Sequence, residues 1–226
     1  MQGYISLWEQ YGDKMISAFW ANLQLTFWAG IASLILGTIL ALLRISPIPS
    51  FRLVGTSYVN IFRNTPLTII ITFGVLVLYG VFGLQLSQDF NLNFFRIAIL
   101  GLAIYHAAFV CEAIRSGVNT VPLGQAEAAR AIGLGFLPAA RYVILPQAFR
   151  GAIVPLGNVL IALLKNSTVA LAGSVAEISG LMKTMIEFRA DVGILIFITV
   201  ALMFVIVVVP IGLLITWLSK KLAVAR

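Results

Sequence analysis

Two groups of residues are of types, and at spacings, that carry chemistry. Lys165-Asn166-Ser167-Thr168 interrupts an apolar stretch that starts at Gly151. An ammonium, two hydroxyls and nearby helix-terminal amides are the groups that meet a carboxylate. Asn158 lies about two helical turns earlier and can face the same place. A second reading of Lys165 stands beside the first: it flanks the outer end of a short membrane span and snorkels to the headgroups. The other group is the segment 120–150, TVPLGQAEAARAIGLGFLPAARYVILPQAFR. Pro122 opens a short helix over Gln125 to Ile132, which Gly133 or Gly135 closes. Pro138 opens a second helix, expected to end near Pro146. Four alanines make the first helix slim, and Glu127 with Arg130 offers it a local charge pair. Such a helix either enters a partner's groove or packs on its own bundle.

Catalytic constellations are missing from the sequence. There is one cysteine, Cys111, and one histidine, His106, so neither a disulfide framework nor a zinc site is indicated. His106 reads most simply as a neutral residue hydrogen-bonded within the bundle, and otherwise as an intramembrane functional group. The nearest glycine run to a phosphate loop, Gly133-Leu134-Gly135, lacks the lysine. No nucleophile, base and orienting acid converge. The +7 net charge is spread between apolar runs rather than on a basic face, so nucleic acid is not a partner.

The elements that position these residues are membrane helices. Of 226 residues, 61% are hydrophobic and 10% charged, against about 25% charged in a soluble domain. A span needs about 20 apolar residues. Met15 to Leu43 is a long first span and Asn64 to Gln88 a second. A short third begins after Arg96 and reaches Cys111, Gly151 to Leu164 is shorter still, and Val192 to Ser219 is the last. Five spans put the termini on opposite sides. With the C-terminus inside, the inner segments carry Arg44, Arg52, Arg63, Arg115, Arg130, Arg141, Arg150, Lys220, Lys221 and Arg226. The outer segments carry Lys14, Arg96, Lys165, Lys183 and Arg189. This two-to-one bias predicts an outer N-terminus and a cytoplasmic C-terminus. Glu112 and Arg115 are placed to pair at the inner end of the third span. Gly30 and Gly37 suit close helix packing, and Trp8, Trp20, Trp28 and Trp217 suit interfacial anchors. The stretch from Glu177 to Asp191 is read either as an outer amphipathic helix or as a docking surface.

The segment Glu127-Ala128-Ala129, Gly133 and then Val143-Ile144-Leu145-Pro146 resembles the EAA loop of ABC importer permeases, departing only at Val143, where isoleucine is usual. Arg63-Asn64-Thr65-Pro66-Leu67, Pro146-Gln147-Ala148, Pro155, Gly157-Asn158 and Lys165 to Thr168 are similar to the polar amino acid subfamily. The runs 125–136, 146–158 and 218–226 most resemble the permeases of actinobacterial glutamate importers. The resemblance implies an all-α integral membrane fold of about five transmembrane helices with a cytoplasmic EAA coupling loop at about 112–150. Residues 1–226 then form a single transporter transmembrane domain in the bacterial cell membrane, surrounded by lipid.

By the same resemblance this chain is a transport subunit and not an enzyme. It works with a second permease, identical or homologous, two ATPase subunits and an extracellular amino acid binding protein. ATP and magnesium belong to the ATPase, and this chain binds no cofactor. Coupling would fall to Glu127, Ala128, Ala129, Gly133, Leu134 and Gly135. Asn158, Lys165, Asn166, Ser167 and Thr168 are the candidates for the substrate path. Relatives for basic substrates often have an acid after Gly-Asn, where this chain has Val159. That weakens a cationic substrate and is compatible with an acidic or a neutral one; the overall likeness points to glutamate, with glutamine or basic amino acids as alternatives. An ion channel would require a ring of like charges or exposed carbonyls. A secondary transporter would require repeats and intramembrane acids. Neither signature is present.

Overall fold

The computed structural model describes residues 2–222, so the Arg226 used for orientation lies outside the described residues. All assigned elements within that range are helical. Four helices are long and apolar enough to cross a bilayer, and a fifth span is made if a bent pair counts as one.

The first helix, α1 (Gln2–Ile45), begins well before the apolar run expected to form the span. Leu7, Tyr11, Met15 and Phe19 recur every four residues and are buried, which gives the polar N-terminal segment a helical stripe to pack. At about 1.5 Å per residue, α1 is roughly twice as long as a hydrocarbon core is thick.

The second span departs most from expectation. The segment between the first and second expected spans contains α2 (Pro49–Arg63). The run expected as one span yields only α3 (Leu67–Phe73), prolonged by a π-helical turn at Gly74–Tyr79. The helix is broken at 64–66. Pro66 explains the break, because proline drives the residue before it out of the helical region.

The third span, α4 (Phe90–Val118), is not short: it begins six residues before Arg96 and carries Glu112 and Arg115 inside it. Asp89 starts it by accepting the Leu92 amide at 2.7 Å. The fourth span is α8 (Ile153–Asn166), and a 3₁₀ segment continues it over Ser167–Gly173. The last is α10 (Gly193–Leu222), with Pro210 inside.

Between α4 and α8 lie α5 (Leu123–Ala131), α6 (Phe136–Ala139) and α7 (Leu145–Gly151). The expected stop at Pro146 does not occur. A π-helical turn at Ala140–Ile144 precedes the proline and absorbs the lost amide and the ring clash that would end a regular helix. The stretch after Glu177 is helical: α9 spans Ile178–Phe188.

The described residues form two compact units, one from residues 2–30, 67–102 and 162–210, the other from 31–66, 103–161 and 211–222. In the first, the α1 stripe packs with Ile178 and Met185 of α9 and with Ile196 and Val200 of α10. Phe19 and Phe204 meet edge to face at 5.2 Å. Arg189 donates to Asp191 at 2.9 Å and reaches the Ser6 hydroxyl at 3.3 Å. In the second unit, Leu40, Ala41, Val59, Ala107, Cys111 and Ile114 form the core. Gly37 is one residue whose absent side chain matters there, since a Cβ would lie 2.5 Å from Val110. Gly30 has only an ordinary contact with Leu163.

Candidate functional site

In the segment between α4 and α8, α5 ends as its sequence suggests. Gly133 adopts φ of +85°, its amide donates to Arg130 O at 2.9 Å, and the Leu134 amide donates to Ala129 O at 3.0 Å. This paired pattern is a Schellman stop, which satisfies carbonyls that α5 would otherwise leave bare. Nothing lies within 4 Å of a Cβ built on Gly133 or Gly135, so Gly133 serves the turn rather than a close approach within this chain. Ala129 is the one buried residue of α5, and the helix packs against the π turn at Ala140–Ile144. Leu123 is 84% and Ile132 77% exposed. These bare aliphatic side chains share the segment with the charged Glu127, Arg130 and Arg141. The expected Glu127–Arg130 pair is absent among the described ion pairs. Both residues are exposed, where such a pair gains little over hydration.

Glu112 does meet Arg115, at 3.7 Å, but it also contacts Arg44 of α1 and lies 3.6 Å from Arg63 of α2. One carboxylate therefore ties the ends of three helices together, and spacing along the chain revealed only the local partner. His106 is buried and stacks edge-on against Tyr105 at 5.1 Å.

On α8, Asn158 and Lys165 are both exposed, seven residues apart with Val154 and Ala162 on the same stripe. A polar residue on the bare face of a span is costly against lipid, so this face suits water or another subunit. Thr168 is partly buried and donates to Lys165 O at 2.8 Å. Asn166 is also partly buried. Ser167 points the other way: it is fully buried, donates to Leu164 O at 2.7 Å and accepts from Asn22 Nδ2 at 2.9 Å.

Sequence reasoning missed the partners of Ser167. Asn22 Nδ2 also donates to Glu177 Oε2 at 3.0 Å, and Asn22 Oδ1 accepts the Ile178 amide at 3.0 Å. Glu177 is 1% exposed. It caps α9, taking the Ser179 and Gly180 amides at 2.9 Å each and a contact from the Ser179 hydroxyl. Two signals were available: Asn22 is an amide within a charge-free run, and Glu177 precedes an apolar helical period. Glu177 also lines an open cleft of about 1140 Å³ beside Asp13, Lys14, Gln24 and Asn91.

Several helices long and apolar enough to cross a bilayer place the chain among integral membrane proteins. Residues 33–224 match the family described as binding-protein-dependent transport system inner membrane component, and the chain belongs to it. It is thus a multi-pass inner membrane component of an ABC importer, which works with an ATPase and a substrate-binding protein. It is 46% identical over 226 residues to the glutamate transport system permease protein GluC of Corynebacterium efficiens, covering 98% of this chain and 99% of that one. It is 36% identical to a probable glutamine ABC transporter permease of Bacillus subtilis, with 84% of each chain covered. Among solved structures, an amino acid ABC transporter with histidines matches with a TM-score of 0.78 and 28% identity, over 94% of this chain and 95% of that one. The MetNI methionine transporter shares the fold, with a TM-score of 0.73 at 21% identity over 93% and 96%.

Proposed function

We propose that this chain is the permease subunit of an ATP-driven importer that takes up glutamate. The observation that carries the transport reading is α5, a helix with one buried residue and an aliphatic surface left bare. An ATPase covers that surface, and Glu127, Ala128, Ala129, Gly133, Leu134 and Gly135 form the joint that passes its closure into the membrane. Two permeases, identical or homologous, stand over two ATPases, which hold ATP and magnesium. The N-terminus lies outside and the C-terminus inside, in keeping with the two-to-one bias of basic residues. ATP favours the outward-open arrangement, and hydrolysis restores the inward one.

The substrate passes along the bare face of α8. Asn158 and Lys165 line it, with Asn166 and Thr168 at the helix break. Lys165 meets a carboxylate, and Ser167 holds the break from the buried side. Val159 offers no acid for a cationic substrate. The names of the Corynebacterium relatives support glutamate. The Bacillus relative keeps glutamine as the second reading, since both substrates present the same α-carboxylate.

The test is reconstitution with the ATPase, partner permease and binding protein, measuring ATP-dependent accumulation of labelled glutamate. Competition by unlabelled glutamate and aspartate, but not by glutamine, histidine or arginine, is the expected outcome. Uptake of another amino acid would discard glutamate. Failure of any ATPase to associate would discard the coupling role of α5.

A further inference from the structure

We infer that Asn22 and Glu177 are positioning residues that fix the rotation of the helix break carrying Lys165. This deepens the substrate-path reading and rests on it. The chain changes from α to 3₁₀ geometry at Ser167, turns at Ser174 with φ of 60°, and enters α9 at Glu177. A break of this kind within a span survives only where its backbone is satisfied by protein or water.

Here a saturated set of hydrogen bonds supplies that support. Asn22 spends both amide protons on oxygens, Ser167 Oγ and Glu177 Oε2, and its own oxygen on the Ile178 amide. Its orientation is unique, because the flipped amide would set an oxygen against the carboxylate. Glu177 receives Asn22, two backbone amides and a hydroxyl. No described basic side chain pairs with it; helix-terminal amides and the α9 dipole offset its charge. The Ser179 hydroxyl, whose single proton goes to Glu177, also lies 3.2 Å from Thr168 O.

The consequence for Lys165 is geometric. Successive helical residues are about 100° apart, so a side chain two positions before Ser167 points about 200° away. With Ser167 held inward by Asn22, Lys165 is held outward on the face it shares with Asn158. Releasing Ser167 lets the end of α8 rotate and takes the ammonium off the path.

Cysteine accessibility tests this without relying on transport. In the full assembly, Cys111→Ala removes the single cysteine, and Lys165→Cys or Ser167→Cys is then labelled with a water-soluble maleimide. Position 165 should label and position 167 should be protected. Adding Asn22→Ala or Glu177→Gln should speed labelling at 167 about tenfold and slow it at 165. Unchanged rates at both positions would overturn the proposal. Should Glu177→Gln fail to assemble, Asn22→Ala keeps the backbone donors to the carboxylate and carries the same comparison.

Uptake kinetics add a second readout. Glu177→Gln should raise KM for glutamate about tenfold in the parent and add nothing in a Lys165→Met background. An equal rise in both backgrounds would mean the carboxylate does not act through Lys165. If Lys165→Met alone left uptake intact, the substrate-path reading would fall, while the labelling pattern would still decide the geometry of the break.

Discussion

The break after α8 and the stop after α5 close on the same backbone pattern and differ in what surrounds it. Each ends a helix through a left-handed residue, Ser174 with φ of 60° in one and Gly133 with φ of +85° in the other. After α8, the Ser174 amide donates to Leu171 O at 3.0 Å and the Val175 amide to Ala170 O at 3.3 Å, and side chains distant in sequence add to this pair: Asn22 reaches Ser167 across 145 residues and Glu177 across 155. After α5, two backbone hydrogen bonds suffice, and nothing crowds the glycine. Water explains the difference. At an exposed turn it satisfies whatever the backbone leaves unpaired. In a buried one, each unpaired group costs about 1–3 kcal/mol, so the protein must provide the partners.

If that is right, the interior break is the more fragile. Glu177→Ala leaves Asn22, Ser179 and Gly180 without their acceptor. It should therefore destabilise the protein by about 3 kcal/mol or more, seen as a large fall in the thermal midpoint of purified protein. Asn22→Ala removes one member and leaves the N-cap of α9 intact, so a loss of about 2 kcal/mol is expected. A midpoint unmoved by either substitution would mean that the buried hydrogen bonds are incidental, and the contrast between the two turns would collapse.

The same contrast governs what could be read from the sequence. The α5 stop was legible because its determinants are local: Pro122, a run of helix formers and Gly133. Hydropathy located four of the spans but misplaced their ends. α1 starts early because Leu7 and Tyr11 pack as a stripe, and α4 starts early because Asp89 caps it; neither fact is hydropathic. Pro146 was overread as a terminator, since a π turn can carry a helix past a proline. Pro66 was underread, and the break between α2 and α3 went unforeseen. Lys165 and Ser167 were picked out together as polar residues. Their opposite directions depend on Asn22, whose contact with the break arises only on folding.

At the exposed turn, Gly133→Leu should cost about 1–2 kcal/mol locally, with membrane insertion and the global midpoint nearly unchanged. Its larger effect should be functional: loss of ATPase stimulation by loaded binding protein, and loss of uptake. Gly133→Asn should recover part of both, because asparagine tolerates the left-handed region. Full uptake by the leucine variant would remove Gly133 from the proposed joint.

The smallest effect is expected at Ser174, and it tests the comparison most directly. Its side chain is exposed and donates none of the described hydrogen bonds. Ser174→Gly therefore removes left-handed strain at no cost in contacts. A gain of up to about 1 kcal/mol is expected, reduced by the extra freedom glycine has in the unfolded chain. The reciprocal Gly133→Ser should lose a similar amount. Matched changes of opposite sign in thermal midpoint would mean that the two turns share one backbone requirement and differ only in what surrounds them. If Ser174→Gly instead destabilised the protein, the serine would be contributing more than its conformation. The interior break would then be a single unit extending from Ser167 through Ser174 to Gly180.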